Sequence, residues 1–168
     1  MRIFRRLKNM FQKTKEPIRE EEKTTVHLGD VVEIAMVTYQ VSGKIEDSQR
    51  YSVMLTLENG SQIQYLLIER REKNIYSLFQ PIDGRMDTFN EIPTTLEIDD
   101  SIYYLEEQYS GVIKTEGRTP LPNSGEQYVW KFQSDERKLA RIEWQDGRFM
   151  FYEGESVIPA EVRVLRGT

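Results

Sequence analysis

The chain has 168 residues, of which 38% are hydrophobic and 30% are charged, a composition typical of a soluble globular domain. It contains no cysteine and a single histidine, His27, which excludes disulfides, thiolate zinc sites, cysteine nucleophiles and multi-histidine metal sites. The formal net charge is -5, but residues 1–15 hold six basic side chains and no acidic one, so residues 16–168 carry -11. This asymmetry suggests that the basic segment, and not the acidic body, meets an anionic partner.

Residues 1–15 predict an amphipathic helix. At about 100° per residue, five apolar side chains fall on one arc of the helix: Ile3, Phe4, Leu7, Met10 and Phe11. The basic side chains, among them Arg2, Arg5, Arg6 and Lys8, lie outside that arc. Such a helix can bind an anionic membrane surface, or its apolar face can pack on the protein's own β-domain or on a partner's helix. These nine side chains are the predicted membrane or partner contacts.

Residues 16–23 predict a charged, solvated linker, in which Pro17 disfavours continuation of the helix. We therefore expect residues 1–23 to form the helix and linker, and residues 24–168 to form a β-domain. No apolar run is long enough to cross a membrane and no signal-peptide pattern is present, so the sequence predicts a cytoplasmic location.

Residues 51–68 give the clearest strand signal, because apolar side chains recur at alternate positions on both sides of Asn59-Gly60. A three-residue loop, residues 58–60, would pair Leu55 with Ile63 and place apolar side chains opposite each other. The pattern therefore predicts a hairpin with one buried face and with Gly60 in a left-handed conformation.

The rest of the chain predicts further strands separated by turns. Val31 opens the first strand, Gly43 marks a bulge or bend, and Asp146-Gly147 predicts a two-residue turn that sets Trp144 opposite Phe149. Residues 80–94 predict irregular structure, and residues 115–126 predict a long loop, more mobile than functional. Strands are expected at residues 74–79, 101–107, 109–114, 127–133, 138–144, 148–152 and 162–165.

Two short similarities link the halves of this domain. Residues 40–45, QVSGKI, resemble residues 108–113, QYSGVI, and the dipeptides Ile68-Glu69 and Ile142-Glu143 each close a β run. Chance similarity between β strands and an internal duplication, with halves 28–92 and 95–166, both account for the pattern. The sequence predicts a mainly β fold, an antiparallel barrel or sandwich, with one N-terminal amphipathic helix.

No motif for a reaction stands out. Glycine spacings match no phosphate-binding loop. Acidic side chains such as Asp30, Glu69 and Glu143 can serve a glycosidase or bind a hard cation, but solvated strand ends explain them better. Aromatic side chains that alternate along the strands fit a packed core better than a nucleic-acid surface, because the body is acidic. The sequence thus predicts no catalytic centre, no cofactor, no metal and no nucleic-acid partner.

The pattern resembles a bacterial β-rich domain family of unknown function. The resemblance rests on Leu28-Gly29-Asp30, Val41-x-Gly43-x-Ile45, Ile142-Glu143-Trp144 and Phe151-Tyr152-Glu153-Gly154, and it spans about residues 28–165. Tyr51 and Tyr65 stand where the family usually has tryptophan. Genes of that family often neighbour phage-shock-type membrane-stress genes and polyamine-related genes, which implies a stress or envelope-maintenance setting and supplies no catalytic residue.

These observations favour a non-enzymatic cytoplasmic adaptor that visits the inner face of the membrane, or a partner of the stress module, through its N-terminal helix. The first alternative is a β-domain that binds a small molecule or a polyamine. The second alternative is an enzyme that uses paired carboxylates.

Overall fold

The computed structural model describes residues 18–19, 23, 25–86 and 88–166, so the predicted N-terminal helix lies outside the described residues. Within them, eleven strands follow one another along the chain. Two short 3-10 turns, Phe89–Glu91 and Pro159–Glu161, lie between strands. The strands are β1 (Val31–Ile34), β2 (Val37–Asp47), β3 (Ser52–Asn59), β4 (Gln62–Arg70), β5 (Asn74–Ile82), β6 (Thr95–Ile98), β7 (Ser101–Gly117), β8 (Gly125–Ser134), β9 (Leu139–Gln145), β10 (Arg148–Val157) and β11 (Val162–Leu165).

Eight of these strands close into an antiparallel barrel, in the order β2-β3-β4-β5-β10-β9-β8-β7, with β7 pairing back onto β2. The prediction of a mainly β fold is therefore confirmed, and of its two alternatives the structure adopts the barrel. The remaining strands extend the wall outward. β1 pairs with the start of β2 and carries β11 on its other edge, whereas β6 pairs with the start of β7.

The chain builds the barrel from two five-stranded meanders, β1–β5 and β6–β10, which join where β2 meets β7 and where β5 meets β10. Both sequence similarities fall on strands of equal rank in the two meanders. The QVSGKI and QYSGVI strings lie on β2 and β7, and the two Ile-Glu dipeptides lie on β4 and β9. The two meanders therefore have the same strand order, and the two short similarities lie on equivalent strands.

Apolar side chains form three buried clusters on the two surfaces of the wall. The first lies inside the barrel and includes Ile45, Tyr65, Ile113 and Tyr152. The second lies outside β2–β5 and is covered by β1, β11 and the segment that contains Val26. The third lies outside β8–β10, beneath β6 and the residues before it. Because the wall has apolar material on both sides, several strands are buried on both faces.

The hairpin at residues 51–68 forms, but the predicted register is wrong. Gly60 and Ser61 make a two-residue turn, and Leu55 pairs with Leu66 instead of Ile63. Gly60 has a φ of 59°, so its left-handed conformation is confirmed. The prediction failed because it assumed that one face of the hairpin is solvated. In the structure Leu55 lies in the cluster outside β2–β5, and Met54 lies inside the barrel. With both faces buried, side-chain alternation does not select a register.

Other local predictions have mixed outcomes. The Asp146-Gly147 turn is confirmed, with Trp144 opposite Phe149. Gly43 lies at a register shift between β2 and β3, as predicted for a bulge. The two strands predicted at residues 101–114 are one continuous strand, β7, and the predicted loop at 115–126 shrinks to residues 118–124 because β7 and β8 extend into it.

The hairpin pattern predicts that Tyr51 belongs to the first strand of the hairpin. In the structure Tyr51 lies just before β3, is exposed and has a φ of 51°.

Candidate functional site

The nine predicted contact residues, Ile3, Phe4, Leu7, Met10, Phe11, Arg2, Arg5, Arg6 and Lys8, lie outside the described residues. The structure does describe parts of the chain that follows them. Ile18 packs against the cluster outside β2–β5, so the packed part of the chain begins before residue 24, the predicted start of the β-domain. Lys23 is buried, donates a hydrogen bond to the Pro159 carbonyl at 3.2 Å and lies 5.2 Å from the centre of the Tyr76 ring. The segment that leads to the N terminus is therefore attached beside the 3-10 turn Pro159–Glu161.

The barrel interior contains a buried ionic network. The Arg141 Nε donates to Glu143 Oε2 at 2.8 Å, and the Tyr152 hydroxyl donates to Glu143 Oε1 at 2.8 Å. The Arg141 Nη2 donates to the Tyr109 hydroxyl at 3.3 Å. Cross-strand pairing puts Arg141 beside Tyr152, which lies in the inner cluster, so these groups face the inside of the barrel. Each Glu143 oxygen thus has a donor.

The pKa values of these groups follow from burial and proximity. Burial opposes the charged form of Arg141, but the neighbouring Tyr109 and Glu143 outweigh that effect and raise the pKa of Arg141. Burial, together with the Glu143 carboxylate, raises the pKa of Tyr152 well above its ordinary value. At neutral pH Arg141 is therefore a guanidinium and Tyr152 keeps its hydroxyl proton.

Further charges lie toward the end of the barrel at the β2–β3 and β4–β5 turns. Glu69 on β4 lies 3.7 Å from Lys131 on β8, across the barrel, and 3.1 Å from Arg71. Arg50 in the β2–β3 turn pairs with Glu107, and its guanidinium lies 3.5 Å from the centre of the Tyr109 ring. Each of these paired charges thus lies beside an opposite charge, and Arg50 also lies over an aromatic ring.

Three atoms of the interior polar layer have no hydrogen-bond partner among the described residues: Asp47 Oδ2, Gln127 Oε1 and Arg141 Nη1. Asp47 lies against Gly111, where a Cβ would collide with its carboxylate, and Gly111 pairs with Gln127 across the sheet.

The interpretation of the isolated acids as solvated is wrong for two of them. Glu143 is 1% exposed, and Asp30 is buried, where its Oδ2 accepts from Arg166 at 3.0 Å. Each charge is tolerated because an arginine lies beside it: Arg141, two residues away on β9, for Glu143, and Arg166, far along the chain, for Asp30. Asp99 and Asp100, in contrast, form the exposed two-residue turn between β6 and β7. His27 is exposed.

The aromatic side chains are mostly packed in the clusters, as predicted. Tyr65, Trp130 and Phe132 are buried, and Trp144, Phe149 and Phe151 are half-buried. Tyr51 is the exception.

A pocket of about 300 Å³ lies on the outer surface of the barrel wall. Leu78 supplies apolar lining, whereas the polar side chains come from four strands and the β8–β9 turn. Those polar side chains are Gln64, Gln80, Tyr103, Lys138, Glu153 and Glu155.

The electrostatics of this pocket are acidic. Glu153 accepts from Gln80 Nε2 at 2.7 Å, and Lys138 lies 3.9 Å from Glu136, which partly neutralises it. Tyr103 is only 3% exposed, and burial, followed by the charges of Glu153, Asp99 and Glu136, raises its pKa. The Tyr103 hydroxyl is therefore neutral at physiological pH, and the pocket suits a ligand with a positive charge and hydrogen-bond donors.

Glu153 and Glu155 are separated by Gly154 on β10, so their side chains share a face at a spacing of about 7 Å. A glycosidase needs two carboxyl groups in one pocket, and the about 7 Å here separates the strand positions of the two acids. Alternation along residues 151–156 could have placed the two acids on one face. It could not have found Gln64, Tyr103 or Lys138, which the fold brings to the pocket from other strands.

No described helix has the length and apolarity that a membrane span requires. No group of three or more acidic or histidine side chains among the described residues has the geometry of a metal site.

The fold and these sites define a closed antiparallel β-barrel with an ionic interior and an acidic outer pocket. Residues 27–159 match the family model described as Domain of unknown function (DUF4178), and the chain therefore belongs to that family. No curated protein and no solved structure matches the chain. The resemblance to a family of unknown function is confirmed at nearly the span that the sequence indicated.

Proposed function

We propose that this protein is a non-enzymatic adaptor on the cytoplasmic side of the membrane, which docks reversibly to an anionic membrane surface through residues 1–15. The observation that carries this proposal is the contrast between a basic segment with an apolar arc and a body of net charge -11. The attachment of Lys23 at Pro159 supports it, because the segment starts from a packed anchor close to the barrel. The family resemblance implies a bacterial membrane-stress setting.

Energetic reasoning predicts weak and salt-sensitive docking. Each lysine or arginine near an anionic surface contributes roughly 1 kcal/mol, and each partly inserted apolar side chain contributes about as much. Ordering about a dozen residues that are marginal as an isolated helix opposes this gain. The net affinity is therefore modest, and it falls as salt screens the basic side chains.

Vesicle flotation tests this function. The full-length protein should float with vesicles of phosphatidylglycerol and phosphatidylcholine, but not with phosphatidylcholine alone. Phe4→Glu combined with Leu7→Glu should abolish flotation, whereas Asn9→Glu adds charge outside the apolar arc and should weaken it only moderately. A double variant that unfolds, or that changes oligomeric state in a protein that never bound lipid, would assign the apolar arc to protein packing instead.

The acidic pocket favours a second candidate function, the binding of a small cationic ligand such as a polyamine. Its support is local: Glu153, Glu155 and the neutral Tyr103 hydroxyl line one cavity with an apolar side. A linear amine would place its ammonium groups on the carboxylates and its methylene chain against Leu78.

Titration with a fluorescent linear triamine tests this second function. Glu153→Gln with Glu155→Gln should weaken binding by about tenfold or more, since two charge-assisted hydrogen bonds are lost. Glu116→Gln with Glu126→Gln removes the same charge from an exposed surface of β7 and β8 and serves as the matched control. Equal weakening by both double variants would show that only the net charge of the body attracts the amine. Turnover of a glycoside that is lost in the first pair would instead support the carboxylate enzyme.

A further inference from the structure

The turn between β1 and β2 exposes apolar side chains. Met36, at the turn itself, is 90% exposed, and the next residue, Val37, is 41% exposed. Ile158, which precedes the 3-10 turn Pro159–Glu161, is 63% exposed. The Ala35 N–H donates to the Glu161 carbonyl at 3.1 Å, so the two turns lie side by side. We call Met36, Val37 and Ile158 the apolar tip.

The backbone of this turn is unfavourable for the residues that occupy it. Ala35 has a φ of 48° and Met36 a φ of 72°, so both adopt the left-handed region in which a Cβ is crowded. Two-residue hairpin turns of this kind prefer Asn-Gly, Asp-Gly or Gly-Gly. The chain uses favourable Asp-Gly at the β9–β10 turn, and yet it places a large apolar side chain at the β1–β2 turn. Met36 makes the hairpin less stable without burying itself, which points to a role outside the folded domain.

The position of the apolar tip connects it to the N-terminal segment. Lys23 donates to the carbonyl of Pro159, the residue that directly follows Ile158. The anchor of the basic segment and the apolar tip are therefore on the same side of the barrel. By contrast, Val112, another exposed apolar side chain, lies on β7 beyond the point where β2 ends, at the far end of β2 from Met36.

We propose that the apolar tip is a second membrane contact, at which Met36, Val37 and Ile158 insert among lipid acyl chains while the basic N-terminal segment holds the anionic headgroups. This inference rests on the proposed function and adds the orientation of the barrel: the β1–β2 turn faces the bilayer and the acidic pocket stays in water. Three side chains are too few for a specific protein interface, which buries about 800 Å² per partner, but they suffice to set the depth of a lipid-bound domain.

Labelling tests the inference directly, because the natural chain has no cysteine. Met36→Cys and Val112→Cys each give a single site for an environment-sensitive dye on the full-length protein. With vesicles of phosphatidylglycerol and phosphatidylcholine, the emission at position 36 should shift to the blue, and the emission at position 112 should stay unchanged. Met36→Asp should lower the partition coefficient about tenfold, and Val112→Asp should leave it unchanged.

A second variant separates insertion from folding. Replacement of Ala35-Met36 by Asn-Gly should raise Tm by about 4 °C, because both residues suit the left-handed region, and should still weaken vesicle binding several-fold. Loss of binding by a more stable protein excludes unfolding as its cause.

The outcomes distinguish this inference from the proposed function. If Phe4→Glu with Leu7→Glu abolishes flotation while the dyes at positions 36 and 112 respond alike, the N-terminal docking stands and the inference fails. If the wild-type protein does not bind anionic vesicles at all, both fail. If Met36→Asp instead converts a dimer to a monomer in the absence of lipid, the apolar tip is an interface between two copies and the inference fails.

Discussion

Glu143 illustrates how a single residue depends on the closed barrel. Its two oxygens accept from Arg141 and Tyr152 inside the wall, and Arg141 in turn donates to Tyr109 on β7. A buried ion pair of this kind is not in itself strongly stabilising, because desolvation offsets most of the attraction. Removal of only one partner is nevertheless strongly destabilising, because the remaining partner keeps a buried charge without a counter-charge.

The first prediction concerns this pair. Glu143→Ala should lower the free energy of unfolding by about 3–5 kcal/mol, because the Arg141 guanidinium loses its counter-charge. Arg141→Met, Glu143→Leu and Tyr152→Phe together remove the polar groups and should stay within about 1–2 kcal/mol of the wild type. Urea denaturation measures both. A triple variant less stable than Glu143→Ala would show that the network contributes more than charge compensation.

The second prediction compares two glycines. At Gly43 a Cβ would collide with the Arg118 carbonyl, whereas at Gly60 nothing lies within 4 Å but φ is 59°. Gly43→Ala should therefore lower the free energy of unfolding by about 2–3 kcal/mol through backbone displacement, and Gly60→Ala by about 1 kcal/mol through the left-handed φ alone. Thermal or urea unfolding of the two single variants checks the order. Equal losses would contradict the close approach at Gly43.

At the scale of elements, the β2–β3 turn completes the barrel wall. One edge of β7 pairs with β6 at its start and with β2 near its end. Between these two pairings, at residues 107–113, no described strand lies along that edge. Arg50 projects from the turn onto Tyr109 and Glu107, and Asp47 lies against Gly111. Side chains thus cover an edge that hydrogen bonds leave open.

The third prediction follows from that cover. Arg50→Ala should increase amide exchange along residues 107–113 several-fold while lowering the free energy of unfolding by about 1 kcal/mol, since a cation–π contact and an ion pair are lost. Arg50→Lys keeps the charge but not the planar stacking, so its effect should be intermediate. Hydrogen exchange read by mass spectrometry gives the local rate. Exchange that rises uniformly over the barrel would instead indicate global destabilisation.

For the whole molecule, burial of tyrosines links stability to alkaline pH. Burial raises the pKa of Tyr65, Tyr103 and Tyr152 in the folded state. A raised folded-state pKa means that the folded protein holds these protons more tightly than the unfolded chain. The stabilisation is fully present below the ordinary tyrosine pKa of about 10, and it is lost as pH rises above that value.

The fourth prediction is therefore a decline in the free energy of unfolding above about pH 10, with little contribution from tyrosine ionisation near neutrality. Tyr152→Phe should make the decline shallower, because its deeply buried hydroxyl no longer titrates in the unfolded chain. Urea titrations at a series of pH values give the slope. Unchanged slopes in wild type and variant would contradict the burial of that hydroxyl.

The sequence alone determined most of the local structure. Side-chain alternation and the turn preference of Asn-Gly and Asp-Gly depend on residues a few positions apart. The β class, the Trp144–Phe149 turn and the left-handed Gly60 therefore followed from the sequence. The similarity of the two strings was also visible in the sequence, whereas their equal rank in the two meanders came from the topology.

Only the tertiary structure decided the register of the first hairpin, the closure of β7 onto β2, the inward position of Glu143 and the assembly of the acidic pocket. Each of these depends on contacts between residues far apart in the chain. A strand with apolar material on both faces does not reveal its register, and the Arg141–Glu143 pair does not reveal that it faces a closed interior with Tyr109 beside it. Closure of the barrel supplies both, because it sets the second face of every strand and brings distant side chains within hydrogen-bond range.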